Sequence, residues 1–196
     1  CKPFGPDRPG MTLGDGAAFL VLEPLDKVIE ENRYYYTELL GFSMGSDAYS
    51  MTSPREKGEG AVEVMNLALK MAGLTVQDID FINAHGTGTL YNDRSEAIAI
   101  HSLFGDNTPV ASIKGLVGHT LGGAGAVEAV ASVYSILHRK AWPNFNSYEA
   151  DGDCPVRLVP EGGLVLSDHP IVLSNSFAFG GSNCCLIFGN AKERQR

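Results

Sequence analysis

Phe81-Ile-Asn-Ala-His85-Gly-Thr-Gly-Thr89-Leu-Tyr-Asn-Asp93-Arg-Ser-Glu96 is the stretch on which the reading of this chain turns. A largely apolar run, Ile79 to Ala84, reads as a strand and delivers His85 into a loop of alternating glycine and threonine. From about Asp93 the pattern becomes helical, with Ala97, Ile98, Ile100 and Leu103 facing inward as far as Phe104. A histidine at the carboxyl end of a strand, followed by glycines that expose backbone amides, stands where an open α/β sheet places a ligand. The stretch alone leaves equally open a histidine that merely ends a strand and is satisfied locally.

On the amino-terminal side, residues 1–16 form an irregular lead-in rich in Gly, Pro and charge, and Ala17 to Glu23 reads as a buried strand. Pro24 to Asn32 is polar and connecting, Tyr34 to Met44 reads as a second strand closing at Gly45, and Gly45 to Lys57 as a loop. Gly58 to Ala72 gathers Val62, Val64, Met65, Leu67, Leu69 and Met71 on a broad apolar face, a helix stopped at Gly73. On the carboxyl-terminal side, Pro109 to Ile113 is a strand. Lys114 to Gly125 is a loop feeding a helix that runs to about Arg139. The early half of that helix is rich in Ala and Gly, so another backbone packs close to it. Residues 141–170 lack periodicity, Ile171 to Ser174 is a strand, Asn175 to Asn183 a Gly-rich loop and Cys184 to Phe188 the closing strand. Ala191 to Arg196 is a charged tail. Helices alternating with strands give an α/β class with a partly parallel sheet in one domain, residues 1–196.

The composition is that of a folded chain: 196 residues, 44% hydrophobic and 19% charged. A net charge of −8 argues against a nucleic-acid surface, which needs a concentrated basic stripe. No run approaches the apolar length of a membrane span. The four cysteines, Cys1, Cys154, Cys184 and Cys185, show no CxxC spacing and read as reduced thiols in a cytosolic setting. Cys1 precedes the first methionine, Met11, so the chain reads as a piece of something longer.

Three loops that follow strands carry the chemistry-bearing residues: the His85 loop, Lys114 to Gly125, and Asn175 to Asn183. Loops after parallel strands converge at one sheet edge, bringing together His85, Lys114, His119, Phe177 and Phe179. A metal reading is weak, because no third ligand joins the two histidines at a recognised spacing. A nucleotide reading is weak as well, since the Lys114 loop lacks the GxxxxGK[ST] order. No nucleophile stands out. Two histidines beside a lysine and helix N-terminal amides remain, and such groups stabilise an oxyanion or enolate.

Four motifs occur in one order: Ser46-Asp-Ala-Tyr-Ser-Met-Thr-Ser-Pro54, Asn83-Ala-His-Gly-Thr-Gly-Thr89, Ser112-Ile-Lys-Gly-Leu-Val-Gly-His119 and Asn175-Ser-Phe-Ala-Phe-Gly-Gly-Ser-Asn183. With Gly14-Asp-Gly-Ala17, they make nearly the whole chain resemble the carboxyl-terminal half of a β-ketoacyl-acyl-carrier-protein synthase, a condensing enzyme. The resemblance implies a thiolase-like fold, here one layered αβα half with a mixed five-stranded sheet. It also implies decarboxylative condensation of an acyl thioester with malonyl carrier protein. His85 and His119 match the histidines that hydrogen-bond the thioester carbonyl, and Lys114 the lysine that supports them. Glu96 and Glu128 match carboxylates behind the site. Thr87 and Thr89, with Thr52 as a weaker candidate, match residues on the phosphopantetheine arm. Phe177, Phe179, Gly180 and Gly181 match an acyl gate. No separate cofactor or metal is implied, because phosphopantetheine arrives on the acyl carrier protein. The expected partners are that carrier protein, an amino-terminal half bearing the nucleophilic cysteine, and a second copy of the full-length enzyme in a homodimer.

Two departures touch the shape of the site: Leu90 stands where the family usually has Pro, and Ala178 where it usually has Gly. A third is the nucleophile itself. Cys1 lies in the irregular lead-in, and Cys184 and Cys185 in a strand, whereas a reactive thiolate wants a helix N-terminus. A non-catalytic, thiolase-like subunit that shapes an acyl pocket is therefore the rival reading. A degradative thiolase fits less well, since the closing cysteines lack a Gly-rich setting.

Overall fold

The computed structural model describes residues 1–190, and the charged tail from Ala191 lies outside them. Its centre is a six-stranded mixed sheet of order β1-β8-β7-β2-β3-β5. The strands are β1 (Glu38–Ser46), β2 (Phe81–Asn83), β3 (Pro109–Ala111), β5 (Arg157–Leu158), β7 (Val172–Phe177) and β8 (Ser182–Gly189). β7, β2, β3 and β5 run parallel, while β8 is antiparallel to both β7 and β1. A two-stranded ribbon of β4 (Lys140–Ala141) and β6 (Leu164–Val165) lies beside it. The sheet has one strand more than the expected five. The extra strand is β5, only two residues long and set in the Pro/Gly-rich region where periodicity carries no information.

Alternation along the strands sorts the core onto two faces. Ile82, Leu173, Cys185 and Ile187 pack with Val64, Met65 and Ala68 of helix α2 (Glu59–Ala72) and with Ala97 and Ile100 of helix α3 (Leu90–Phe104). Phe81, Val172 and Phe188 face the other way, against Ala129 and Ile136 of helix α5 (Ala124–His138). The outcome is a three-layered αβα arrangement. Gly73, at a φ of 65°, ends α2 with amide bonds returned to the last turn. Gly41 of β1 lies under that helix, and a Cβ there would collide with the Ala68 carbonyl oxygen.

Several elements differ from the sequence reading, each for a physical reason. Ala17 to Glu23 forms no strand. Phe19 and Val21 are 93% and 88% exposed, and among the described residues no strand supplies the ladder such a segment needs. The polar 24–32 connection contains a short helix, α1 (Leu25–Glu30). α3 begins at Leu90, so Leu90 and Tyr91 form its first turn instead of lengthening the loop. Asn175 to Phe177 and Ser182–Asn183 are strand rather than loop, because antiparallel pairing of β7 with β8 continues to Phe177 opposite Asn183. Only residues 178–181 turn.

Replacing Gly41 with Ala forces α2 away from β1. We expect a loss of about 2 kcal/mol, the ordinary cost of overpacking, measured by denaturant unfolding. Stability equal to that of the parent would contradict the close approach.

Candidate active site

The site forms at the carboxyl edge of β2, β3 and β7, where the parallel strands release their loops. His85 lies just past β2. Its loop bends through Gly86 and Gly88, at φ of 34° and 74°, angles that only glycine adopts without strain. The bend turns four successive amides inward. His85 N and Gly86 N donate to the two oxygens of Glu96, each at 2.8 Å. Thr87 N donates to Asp93 at 2.9 Å, and Gly88 N at 3.1 to 3.2 Å. Both acids sit early in α3, so the helix presents a pair of buried carboxylates to the underside of the loop. Burial pushes the Glu96 carboxyl up to about 7 against the pull of these amides, and raises Asp93 as well.

Lys114 opens the short helix α4 (Lys114–Val117) after β3, and 1% of it is exposed. Its ammonium donates to the Glu128 carboxylate, to the His85 carbonyl at 2.5 Å and to His85 Nδ1 at 3.2 Å. Glu128 projects from α5 and is equally buried; its second oxygen accepts from Ser176 Oγ at 3.2 Å. Burial raises the Glu128 carboxyl, and Lys114 opposes that shift. An ammonium has three donors and no acceptor, so His85 Nδ1 must be unprotonated and the ring proton lies on Nε2.

His119 is fixed by its backbone, with N donating to Thr12 O at 2.7 Å and O accepting from Gly14 N at 3.1 Å. Its Nδ1 accepts from Leu121 N at 3.1 Å, which again leaves the proton on Nε2. The two imidazoles stand 5.2 Å apart and nearly perpendicular at 83°. Burial depresses both basicities, and the Lys114 charge adds to the effect, bringing His119 down to about 4 and His85 well below its ordinary value. Two neutral rings, each with an Nε2–H donor, therefore share one corner of the sheet.

Most of the expected residues converge here. Thr87 and Thr89 join hydroxyl to hydroxyl at 2.8 Å on the same loop, and Phe177 lies 5.7 Å from the His85 ring. Phe179 does not join them in burial, being 73% exposed at the tip of the 178–181 turn. Gly180 and Gly181 occupy left-handed angles of 85° and 80° there. Gly180 N donates to Met51 O at 2.8 Å, tying the turn to the loop that carries the exposed Thr52.

Among the described residues no cysteine has the setting of an activated nucleophile. Burial raises the thiols of Cys154, Cys184 and Cys185, which makes them poor nucleophiles. Cys1 lies in the irregular lead-in, as read from the sequence, and its thiol donates to the Thr87 carbonyl of the His85 loop at 3.0 Å. Sequence reasoning overlooked Asp93 as the loop's second anchor, although an acid in the first turn of a helix behind a Gly-Thr loop is a usable signal. It also overlooked Asn83, whose amide binds Glu128 O at 2.9 Å and Ser132 Oγ at 3.1 Å, and Asn175, which donates to Glu96 at 3.3 Å.

The chain is similar to known proteins over most of its length. Residues 36–148 match the family described as the C-terminal domain of β-ketoacyl synthase. The chain is 40% identical over 190 residues to a 3-oxoacyl-[acyl-carrier-protein] synthase 2 of Synechocystis, covering 95% of this chain and 45% of that protein. A namesake from Rhizobium meliloti is 41% identical over 189 residues, covering 95% and 44%. Among solved structures, a β-ketoacyl synthase from Burkholderia phymatum superposes with a TM-score of 0.91 at 37% identity, over 97% of this chain and 46% of that one. The ishigamide ketosynthase/chain length factor gives 0.90 at 38%, over 96% and 46%. The chain thus spans just under half the length of the curated relatives it matches. It belongs to the β-ketoacyl synthase family, as a C-terminal domain of the thiolase-like condensing-enzyme fold.

Proposed function

We propose that residues 1–196 act as one domain, the carboxyl-terminal half of a condensing enzyme that makes 3-oxoacyl thioesters for fatty-acid or polyketide-like synthesis. The observation that carries this is the pair of neutral Nε2–H imidazoles set beside the buried Lys114–Glu128 ion pair. In this reading, a malonyl thioester on the phosphopantetheine arm of an acyl carrier protein places its carbonyl oxygen between His85 and His119. The bond to the carboxylate breaks, CO2 leaves, and its electron pair becomes the enolate, whose negative oxygen takes both Nε2–H bonds. Donors that are neutral beforehand bind the developing charge better than the ground-state carbonyl, and that difference lowers the barrier. The enolate carbon then attacks an acyl thioester on a cysteine of the amino-terminal half. A carbon–carbon bond forms, the C–S bond breaks and the thiolate leaves. Thr87 and Thr89 hold the arm, with Thr52 at the mouth, and the Phe177–Gly181 turn gates the acyl side.

A partner half is supported by the exposed apolar stretch Phe19 to Leu22, a surface too apolar to serve as a solvent face. The relatives' greater length supplies the sequence for it. We assign a homodimer of the full-length enzyme and a cytosolic setting on the same reading; no helix of the described residues is long and apolar enough to cross a membrane. The rival, a pocket-shaping subunit without catalysis, has no use for His85, Lys114 and His119 in this arrangement.

In the complete enzyme, His85→Ala and His119→Ala should each reduce malonyl decarboxylation by about 10²–10³-fold, the usual cost of losing one oxyanion donor. Release of CO2 from malonyl-acyl carrier protein measures it, and parent-like rates in both variants would sink the assignment. The pH profile supplies an independent check. Glu96 clamps the His85 loop best as a carboxylate and titrates at about 7, beside Asp93 and Lys114, whereas burial lowers both histidines and keeps them neutral through this range. Decarboxylation should therefore fall between pH 8 and 6, around the value of about 7 for Glu96, and Glu96→Gln should flatten the limb at a lower plateau. A limb near 6.5 that survives Glu96→Gln would assign the titration to a histidine. Stability has the opposite sign: the folded state holds the Glu96 proton between its ordinary 4.5 and about 7, so folding weakens as pH rises through that window.

A further inference from the structure

Asn144 lies outside every motif named above, in the stretch between β4 and β5 where the sequence shows no periodicity. It is nonetheless fully buried, with none of its surface exposed, and each polar position of its side chain is used. Nδ2 donates to Pro3 O at 2.9 Å and to Ser147 O at 2.7 Å, while Oδ1 accepts from Ser112 N at 3.0 Å. Its own backbone amide reaches Val159 O at 3.1 Å. One side chain thus gathers the lead-in, its own loop and the end of β3.

Ser112 carries the connection onward. Its hydroxyl donates to Gly86 O at 2.8 Å, on the His85 loop, and accepts from Lys114 N at 3.3 Å, at the root of the lysine. Asn146 binds the next residue of the Lys114 turn, donating to Gly115 O at 2.5 Å, and also donates to Cys1 O at 3.3 Å. Nothing in this chain of bonds touches the imidazole or ammonium groups. What it fixes is the separation between the two backbones from which those groups project.

We propose that Asn144 is a positioning residue for the decarboxylation step: through Ser112 it sets the Lys114 turn against the His85 loop, and so holds the Lys114 ammonium on His85 Nδ1. The inference rests on the condensing-enzyme reading above. An apolar side chain would fill the same volume without burying three hydrogen-bonding positions, so the amide is retained for what it orients. Small misplacements of a pre-organised group cost rate out of proportion to their size.

The test uses the complete enzyme and follows two half-reactions separately: acyl loading of the nucleophilic cysteine, and CO2 release from malonyl-acyl carrier protein. Asn144→Ala should lower kcat for CO2 release by about tenfold, with KM and acyl loading held within about twofold. Loss of folded protein alone would lower both half-reactions together. Should Asn144→Ala yield no soluble enzyme, Ser112→Ala, which removes the hydroxyl but keeps the Asn144 bond to its amide, should show the same selective loss. The proposal is overturned if the half-reactions fall in parallel, or if neither falls, while His85→Ala still lowers CO2 release by about 10²–10³-fold. If His85→Ala releases CO2 normally this inference is overturned, and if His119→Ala does so as well the condensing-enzyme reading has failed with it.

Discussion

A lysine ammonium sealed inside a protein must find an acceptor for every N–H, because an uncompensated buried charge costs several kcal/mol. Lys114 meets that requirement with the Glu128 carboxylate, the His85 carbonyl and His85 Nδ1. One acceptor comes from α5 and two from the loop after β2, so satisfying one charge joins both to the turn after β3 that carries the lysine. The same arrangement dictates the chemistry. A donor on Nδ1 strips that nitrogen of its proton, and a neighbouring positive charge keeps the ring from taking a second one. The ring that results is neutral and presents Nε2–H outward, as an enolate-stabilising donor must.

The acids beneath the His85 loop perform a complementary task. Asp93 and Glu96 accept four consecutive amides, so the loop is pinned through its backbone. Asp93 lies in the first turn of α3, where the helix N-terminus offsets part of the cost of its burial. The cost of burying Glu96 is visible in its raised basicity, which brings its titration into the physiological range.

Much of this was legible in the sequence, unevenly. Local rules sufficed for α2 and α5, where apolar spacing and a terminating Gly73 mark the element, and for β2, where an apolar run delivers the histidine. The residues His85, Lys114, His119, Glu96 and Glu128 were legible from ordered motifs, and the structure brings them together. Non-local pairing was hidden. Asn175 to Phe177 looked like loop because its composition is Gly- and Asn-adjacent, yet the strand continues because β8 pairs with it. Ala17 to Glu23 failed in the opposite sense: its residues favour a strand, but a strand is completed by a neighbour, and none of the described residues provides one. Asn83, Asn144 and Asn175 were missed because their meaning lies in hydrogen bonds to segments far away in the chain, and a buried asparagine announces itself by burial rather than by pattern.

The chemistry of the site depends on both imidazoles being neutral and carrying their proton on Nε2. Neutron diffraction from crystals of the complete enzyme, exchanged into heavy water near pH 7, reads that proton directly. Deuterium on Nε2 of both His85 and His119, with bare Nδ1 atoms facing Lys114 and the Leu121 amide, is the expected density. Deuterium on either Nδ1, or on both nitrogens of one ring, would contradict the account.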